Sequence, residues 1–513
     1  MQAVSDEFDR LILAMSQETV TPSASAPAGQ SSTGFRRSLG DTLARMAAYL
    51  QRPGVVPVLI ILLWACATLP NLTVRSFIYE EGTNAEIAKD VLAHGHFLQP
   101  FVYGYLWHDK PSLLSWLIAG AALVTGGVNE WSARLPVMLS VLITALLVHR
   151  VTRRYANPAA SLFAALSFLF CPLLLQKLTV SEPDTILTLL SFAALVVWWD
   201  GAALGKVTLW RWGACGLLLA ALALVKGPQP AAFFGLGTAA YLLLERRWRD
   251  APGWVLCMIL PAAAFAGWIA AVYQPGYEET WLGYGRFLYR PAFLDYLARN
   301  TRNTGSLFLE LLPASVMTLF IPWPWKRSVD PGGVPAIVAP FVLYSGVCTA
   351  ILVLWPGFTS RYAMPIAPSI AVLGGIGWDA IGKSRYAVAR PIMAIVLALL
   401  VVYQVLLVVV IMPLFADRFG ETRLAGEAIG RAIRAAPAPA YGVWLDTDVL
   451  FYAKIPLQRL EMTGLGAISP PAWLVIPAPD LAWFGKLRPD LKANVAVGPL
   501  TEKQLTAARI ERR

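Results

Sequence analysis

A mainly α-helical, polytopic transmembrane bundle of about eleven spans is the fold class this sequence predicts, with surface helices in the first outer loop and a small C-terminal α/β domain. Three observations carry it. Hydrophobic residues make up 57% of the 513-residue chain and charged ones only 14%, with a mean hydropathy of +0.56; a soluble globule cannot bury that much apolar surface. The apolar residues gather into runs close to the length a bilayer requires, roughly 20 residues. Every second loop between those runs is basic, the asymmetry that sets the orientation of a membrane protein.

Residues 1–53 are polar to amphipathic and are expected as a cytoplasmic tail. The Ser/Pro/Ala/Gly stretch over 21–34 holds too little apolar content to pack. Residues 35–51 alternate apolar and basic side chains at helical spacing, with Arg36, Arg37, Arg45 and Arg52 placed for anionic headgroups, the pattern of an interfacial helix. Because this polar segment precedes the first apolar run, that run reads as a retained span and not as a cleaved signal.

The membrane domain is expected over 54–415. Candidate spans are 55–69, 134–151, 159–175, 186–199, 212–225, 230–244, 254–273, 304–321, 334–355, 362–378 and 391–415. The apolar segment 112–125 is shorter. Counting it as a span would put the next loops on the wrong sides, so it reads as a helix lying along the membrane surface. With the N-terminus cytoplasmic, the inner loops carry Arg150, Arg153 and Arg154, then Lys206 and Arg211, then Arg246, Arg247 and Arg249, then Lys326 and Arg327, then Lys383, Arg385 and Arg390. The opposite face receives 74–131, 177–184, 226–228, 274–303, 356–361 and everything after 415.

Residues 416–513 differ in texture. Short strand-like runs at 441–445, 473–476 and 494–497 are separated by Pro, Gly and Asp, and helical periodicity covers 421–435, so a small α/β domain is expected on the outer face. Cys66, Cys171, Cys215, Cys257 and Cys348 each sit in a separate apolar run without CxxC spacing and read as small core residues. The basic residues punctuate apolar runs instead of forming a stripe with interleaved aromatics, which excludes a nucleic-acid partner. No internal repeat supports an inverted-repeat transporter.

The first outer loop concentrates the chemistry: Tyr79-Glu80-Glu81-Gly82, then Asn84-Ala85-Glu86-Ile87-Ala88, then His108-Asp109-Lys110-Pro111. A carboxylate at a water-facing mouth can accept a proton, and a lysine nearby can hold an anion. His94, His96 and His108 share this loop, which leaves a divalent metal open; His94-Gly95-His96 lacks the i,i+4 spacing of a helical metal pair and reads as an exposed turn. The loop 274–303 offers Arg286 and Tyr289 to clamp a sugar or an anionic acceptor.

The stretch 79–116 resembles the first periplasmic loop of the membrane-embedded C-type glycosyltransferases, in particular the branch with the lipid A aminoarabinose transferases and the protein O-mannosyltransferases. Asp184 with the following Thr185-Ile186-Leu187-Thr188-Leu189, the turn Val225-Lys226-Gly227-Pro228, and Ser360-Arg361-Tyr362 with Pro365 extend the resemblance in order. The chain carries Glu80 where the family usually has Asp, and Ser112 where the family has a second proline.

The resemblance implies transfer of a sugar from a polyprenyl-phosphate donor to an acceptor hydroxyl, usually with inversion, by an enzyme of the inner membrane working at the periplasmic face. A carboxylate would take the acceptor proton, with Glu80 the first choice and Glu81 the alternate, while Asp184 orients the acceptor or its sugar. Lys110, Lys226 and Arg361 would hold the donor phosphate, and Asp109, Tyr362, Arg286 and Tyr289 would contact substrate. No cofactor beyond that open metal is implied. The acceptor is a glycolipid such as lipid A, a polysaccharide or a protein. The rival readings are a carrier that flips lipid-linked sugars, which would place charges midway through spans instead of at their ends, and a structural subunit recruiting a partner.

Overall fold

The computed structural model describes residues 45, 48–275, 293–321, 334–354, 359–384, 386–443, 446–502 and 504–513. The chain divides into two units, Met1–Val55 and Val56–Arg513. In the first, residues 48–50 are helical and a turn follows. Most of the interfacial helix expected over 35–51 lies outside the described residues, as do Arg286 and Tyr289.

The second unit is built on helices, most of them apolar: α1 (Val55–Thr68), α2 (Glu81–His94), α3 (Leu113–Thr125), α4 (Glu130–Arg153), α5 (Pro158–Leu169), α6 (Asp184–Ala202), α7 (Leu209–Lys226), α8 (Gln229–Leu244), α9 (Ala251–Val272), α10 (Phe293–Glu310), α11 (Val334–Leu354), α12 (Ala367–Ala380) and α13 (Ala389–Leu406), with α2 and α10 the polar exceptions. Among the described residues five helices are long and apolar enough to cross a membrane: α4, α6, α7, α9 with the turn before it, and α13 continued to Leu414. Helices α1, α5 and α8, along with the surface candidate α3, are apolar but shorter.

Caps explain several boundaries. Asn129 accepts from the Trp131 and Ser132 backbones while Ser132 returns a bond to the Asn129 backbone, a capping box that starts α4. Asn157 accepts from the Ala160 backbone and Pro158 occupies the first turn of α5, where a missing N–H costs nothing.

The expected span 304–321 takes another form. Helix α10 carries Asn300, Arg302, Asn303 and Thr304 and ends at Glu310; Pro313, with no N–H to donate, separates it from a short helix, Ala314–Thr318. The cysteines mostly follow expectation, since Cys171, Cys215, Cys257 and Cys348 are buried, but Cys66 lies on the exposed side of α1.

The helices run so that their two ends differ in chemistry. At one end, Asp200 near the end of α6 pairs with Arg150 at 3.2 Å and with Arg154, while Arg247 donates to the Ala202 carbonyl at 2.8 Å. These belong to the loops expected to be cytoplasmic. At the other end lie the starts of α4, α6 and α8 and the end of α7. At about 1.5 Å per residue the 24-residue α4 separates the two ends by roughly 36 Å.

Beyond α13 comes α14 (Glu421–Ala435), with the bounds its periodicity predicts, and then a five-stranded mixed sheet of order β4-β3-β5-β7-β6. Its strands are β3 (Ala440–Gly442), β4 (Gln458–Arg459), β5 (Ala472–Pro477), β6 (Leu491–Leu500) and β7 (Leu505–Arg512), with helices α15 (Thr447–Ala453) and α16 (Ala478–Leu487) between them; β1 (Phe101–Val102) and β2 (Tyr105–Leu106) form a separate hairpin after α2. β5 is buried on both faces: Trp473 and Val475 join Ile429 and Val449 on one side, Leu474 and Ile476 join Leu465 and Phe484 on the other.

This C-terminal α/β region is tied to the loop that precedes α2. The Phe77 backbone donates to the Tyr452 hydroxyl at 3.0 Å, which lies 3.0 Å from a Glu130 carboxylate oxygen; Arg423 donates to that same oxygen at 2.7 Å. Gly82 on α2 donates to Asp448 at 2.6 Å, and a Cβ there would stand 2.5 Å from the Thr447 carbonyl oxygen. Because the obstacle is backbone, Gly82→Ala is expected to destabilise the protein by about 1–3 kcal/mol. An unchanged melting temperature in detergent would contradict this close contact.

Candidate functional site

The turn before α2 sets up the site. Tyr79 adopts a left-handed φ of 61°, costly for a non-glycine residue, and sends its ring outward to 67% exposure. Glu80 follows as the residue before α2, yet its side chain caps no backbone N–H and is free to point elsewhere. It pairs with Lys110. The two residues are thirty positions apart, and the chain between them makes a closed excursion: α2 runs out, the β1–β2 hairpin turns the chain, and the Trp107 backbone donates to the Pro100 carbonyl at 2.8 Å as the chain comes back.

Glu80 and Lys110 line a cavity of about 470 Å³ together with Asp109, Lys226, Arg361 and Tyr362. Lys226 is the last residue of α7, and Gly227, at a φ of 109° that favours glycine, turns the chain into α8. Arg361 and Tyr362 come from the 3₁₀ turn Ser360–Ile366 ahead of α12. Phe265, Trp268 and Ile269 on α9 supply an apolar wall. Six residues singled out from separate parts of the sequence therefore meet in one hollow.

Acidic groups behind the wall hold its cations. Asp184 accepts from Lys226 at 2.6 Å and is itself buried; Lys226 also lies 4.8 Å from the centre of the Tyr362 ring. Glu182 stands 3.7 Å from Arg361 and pairs with Lys177, whose ammonium sits 4.6 Å from the Tyr79 ring centre. Burial works against the charge on Arg361, but Asp184, Tyr362 and Glu182 outweigh it and raise the pKa of the guanidinium. The second Asp184 oxygen is buried without a hydrogen-bond partner among the described residues. Lys177 and Glu182 lie in the outer turn 177–184 read from the sequence, where Glu182 is the alternative to Asp184 as the functional carboxylate.

Glu81 goes elsewhere. It is fully buried outside the cavity, 2.8 Å from Arg75 and 3.0 Å from Arg134, and it accepts from the Ile78 and Ser181 backbones. Burial alone would push its carboxyl up; Arg134 and Arg75 reverse this and hold the pKa at about 2. Burial pulls the Arg75 pKa down from its ordinary value, against the restoring effect of Glu81. Arg134, also fully buried, donates to the carbonyls of Leu72, Arg75 and Ser76. A signal for Arg134 was present in the sequence as a cation at the very start of an apolar run, the position where membrane proteins keep paired charges. The cluster ties α2, the preceding loop, α4 and the segment before α6 into one frame on which Glu80 is mounted.

Comparisons with known proteins find likenesses in sequence and in fold. A family described as dolichyl-phosphate-mannose-protein mannosyltransferase matches residues 109–270. The chain is 24% identical to undecaprenyl phosphate-alpha-4-amino-4-deoxy-L-arabinose arabinosyl transferase 2 of Pseudomonas fluorescens, across 92% of this chain and 87% of that one. It is 25% identical to the corresponding arabinosyl transferase of Edwardsiella ictaluri, across 57% and 54%. Among solved structures, ArnT from Cupriavidus metallidurans bound to undecaprenyl phosphate superposes with a TM-score of 0.65 at 18% identity, covering 88% of this chain and 97% of that one, and its apo state gives 0.66.

The matched family and the curated relatives support a membrane-embedded glycosyltransferase. Within that class the chain is similar to the C-type superfamily that holds the ArnT-like aminoarabinose transferases and the protein O-mannosyltransferases.

Proposed function

We propose that this protein transfers a sugar, of the aminoarabinose type, from undecaprenyl phosphate to a hydroxyl of lipid A or a related glycolipid. The reaction takes place at the periplasmic face of the inner membrane, with residues 416–513 on that face and the N-terminus in the cytoplasm. The observation that carries the reading is one cavity lined by the carboxylates of Glu80 and Asp109 and by Lys110, Lys226 and Arg361 beside an apolar wall, with the half-exposed Glu80 paired to Lys110. The relatives named for undecaprenyl-phosphate aminoarabinose support the donor and the pentose.

The chemistry follows from the charges. Glu80 removes the acceptor proton as the hydroxyl oxygen attacks the anomeric carbon, and the bond from that carbon to the phosphate oxygen breaks on the opposite side, which inverts the centre. Negative charge grows on the phosphate, a good leaving group that needs no acid but does need cations. Lys110 serves twice: it pairs with Glu80 before the donor arrives, and the phosphate then competes for it, leaving the carboxylate to the acceptor. Asp184 keeps Lys226 aimed. Phe265, Trp268 and Ile269 receive the first isoprene units of the carrier.

Purified protein incubated with undecaprenyl phosphate-linked aminoarabinose and lipid A is expected to yield lipid A heavier by one aminopentose, read by mass spectrometry. Failure to transfer sugar from any prenyl-phosphate donor would remove the enzymatic reading and leave the carrier. Lys110→Ala and Arg361→Ala are each expected to raise the KM for donor by about 10- to 100-fold, the worth of a charge-assisted hydrogen bond. Unchanged KM values in both would mean that the phosphate binds elsewhere.

A further inference from the structure

At the far end of α2 from Glu80, a second cluster has no part in this reaction. Asp90 and His94 are one helical turn apart, so their side chains share a face of α2. Gly95, with a φ of 73°, then terminates the helix in the left-handed conformation and swings His96 back toward the same carboxylate. The His94 Nδ1 lies 2.9 Å from Asp90 Oδ1, and the His96 Nδ1 lies 3.0 Å from Asp90 Oδ2. One ligand atom from each residue lies within 4.8 Å of the other two.

We infer that Asp90, His94 and His96 form a binding site for a divalent transition-metal ion of the zinc type. Zinc takes imidazole nitrogen and carboxylate oxygen at about 2.0–2.2 Å, which puts neighbouring ligand atoms on a tetrahedral ion roughly 3.3 Å apart. The observed spacing needs only small side-chain rotations to meet that. The Phe101 backbone donates to Asp90 Oδ2 at 2.8 Å, the outer contact that orients a ligating carboxylate. The two imidazoles are 62% and 43% exposed, and the cluster borders a cavity of about 610 Å³, so water has room to complete the coordination. Two imidazoles and one carboxylate suit zinc better than the hard cations Mg²⁺ or Ca²⁺, which prefer oxygen alone.

The ion would act as a clip. It joins the end of α2 to the turn that leads into β1, and from that hairpin the chain returns with Lys110 to Glu80. Holding the far end of this excursion limits the motion available to the near end, so the site steadies the catalytic loop without touching substrate.

The test uses the full-length protein in detergent after removal of any histidine tag, dialysed against chelator and titrated with ZnCl₂. The wild type is expected to bind about one equivalent, and His94→Ala and His96→Ala are each expected to weaken binding by roughly tenfold or more. Zinc should also slow hydrogen exchange across 90–106 in the wild type and not in either variant. If either variant is not monodisperse, His96→Gln replaces it, since an exposed glutamine leaves the fold alone. Wild-type protein that binds no zinc, or variants that bind as tightly as the wild type, would reduce the cluster to hydrogen bonds among three surface side chains. Both readouts are independent of sugar transfer, so they stand or fall apart from the proposed reaction.

Discussion

Glu80→Gln is expected to lower kcat by about 10²–10⁴-fold while the protein still binds its donor, because an amide of the same shape can fill the site but cannot accept a proton. The geometry makes this substitution clean. Among the described residues Glu80 caps no helix and its ion pair is with Lys110 in the cavity wall, so little of the fold depends on its charge. Removing the carboxylate also frees Lys110 for the phosphate, and the KM for donor should stay level or fall. A split of this kind, with kcat lost and donor affinity kept, separates a base from a residue that merely shapes the pocket. The measurement is steady-state transfer by purified protein with a synthetic prenyl-phosphate sugar. Full turnover by the variant would remove Glu80 from the mechanism.

Much of this site was legible in the sequence, for a physical reason. A bilayer forces charged groups to helix ends, so Lys110, Lys226 and Arg361 stand out against apolar runs and fall on one predicted face. Their convergence in one cavity needs only that the helices pack side by side. The difference between Glu80 and Glu81 was not legible. It depends on Arg134 and on the Ser181 backbone, 53 and 100 positions away from Glu81, and no local pattern reports such partners.

The same limit applies at the end of α2. A search for two histidines one turn apart passes over Asp90, which occupies that position relative to His94. In the C-terminal α/β region β5 was visible as an apolar run, but β7 was not: Ala507 and Ala508, buried on opposite faces, are small residues that carry little hydrophobic signal, and Arg509, Glu511 and Arg512 make the segment look like a polar tail.

Glu81→Gln should fail in a different way from its neighbour. Arg75 and Arg134 would be left buried without a counter-charge, and breaking a buried pair from one side costs about 3–5 kcal/mol. A large drop in melting temperature is the expected result. Changing Glu81 and Arg134 together to leucine should cost less than the sum of the two single changes, since the second removes the charge that the first strands.

The pH dependence has a definite sign. The Glu81 carboxyl titrates near 4.5 when unfolded and at about 2 when folded, so the unfolded chain binds more protons between those values. Its contribution, on the order of 3 kcal/mol, is fully present above pH 4.5 and is lost as pH falls toward 2. Wild-type stability should therefore decline on acidification through this window, and in Glu81→Gln that part of the decline should be absent. Assayed at a temperature where the variant remains folded, its turnover per folded molecule should stay close to wild type. Loss of turnover with stability intact would instead make Glu81 the base and Glu80 its support.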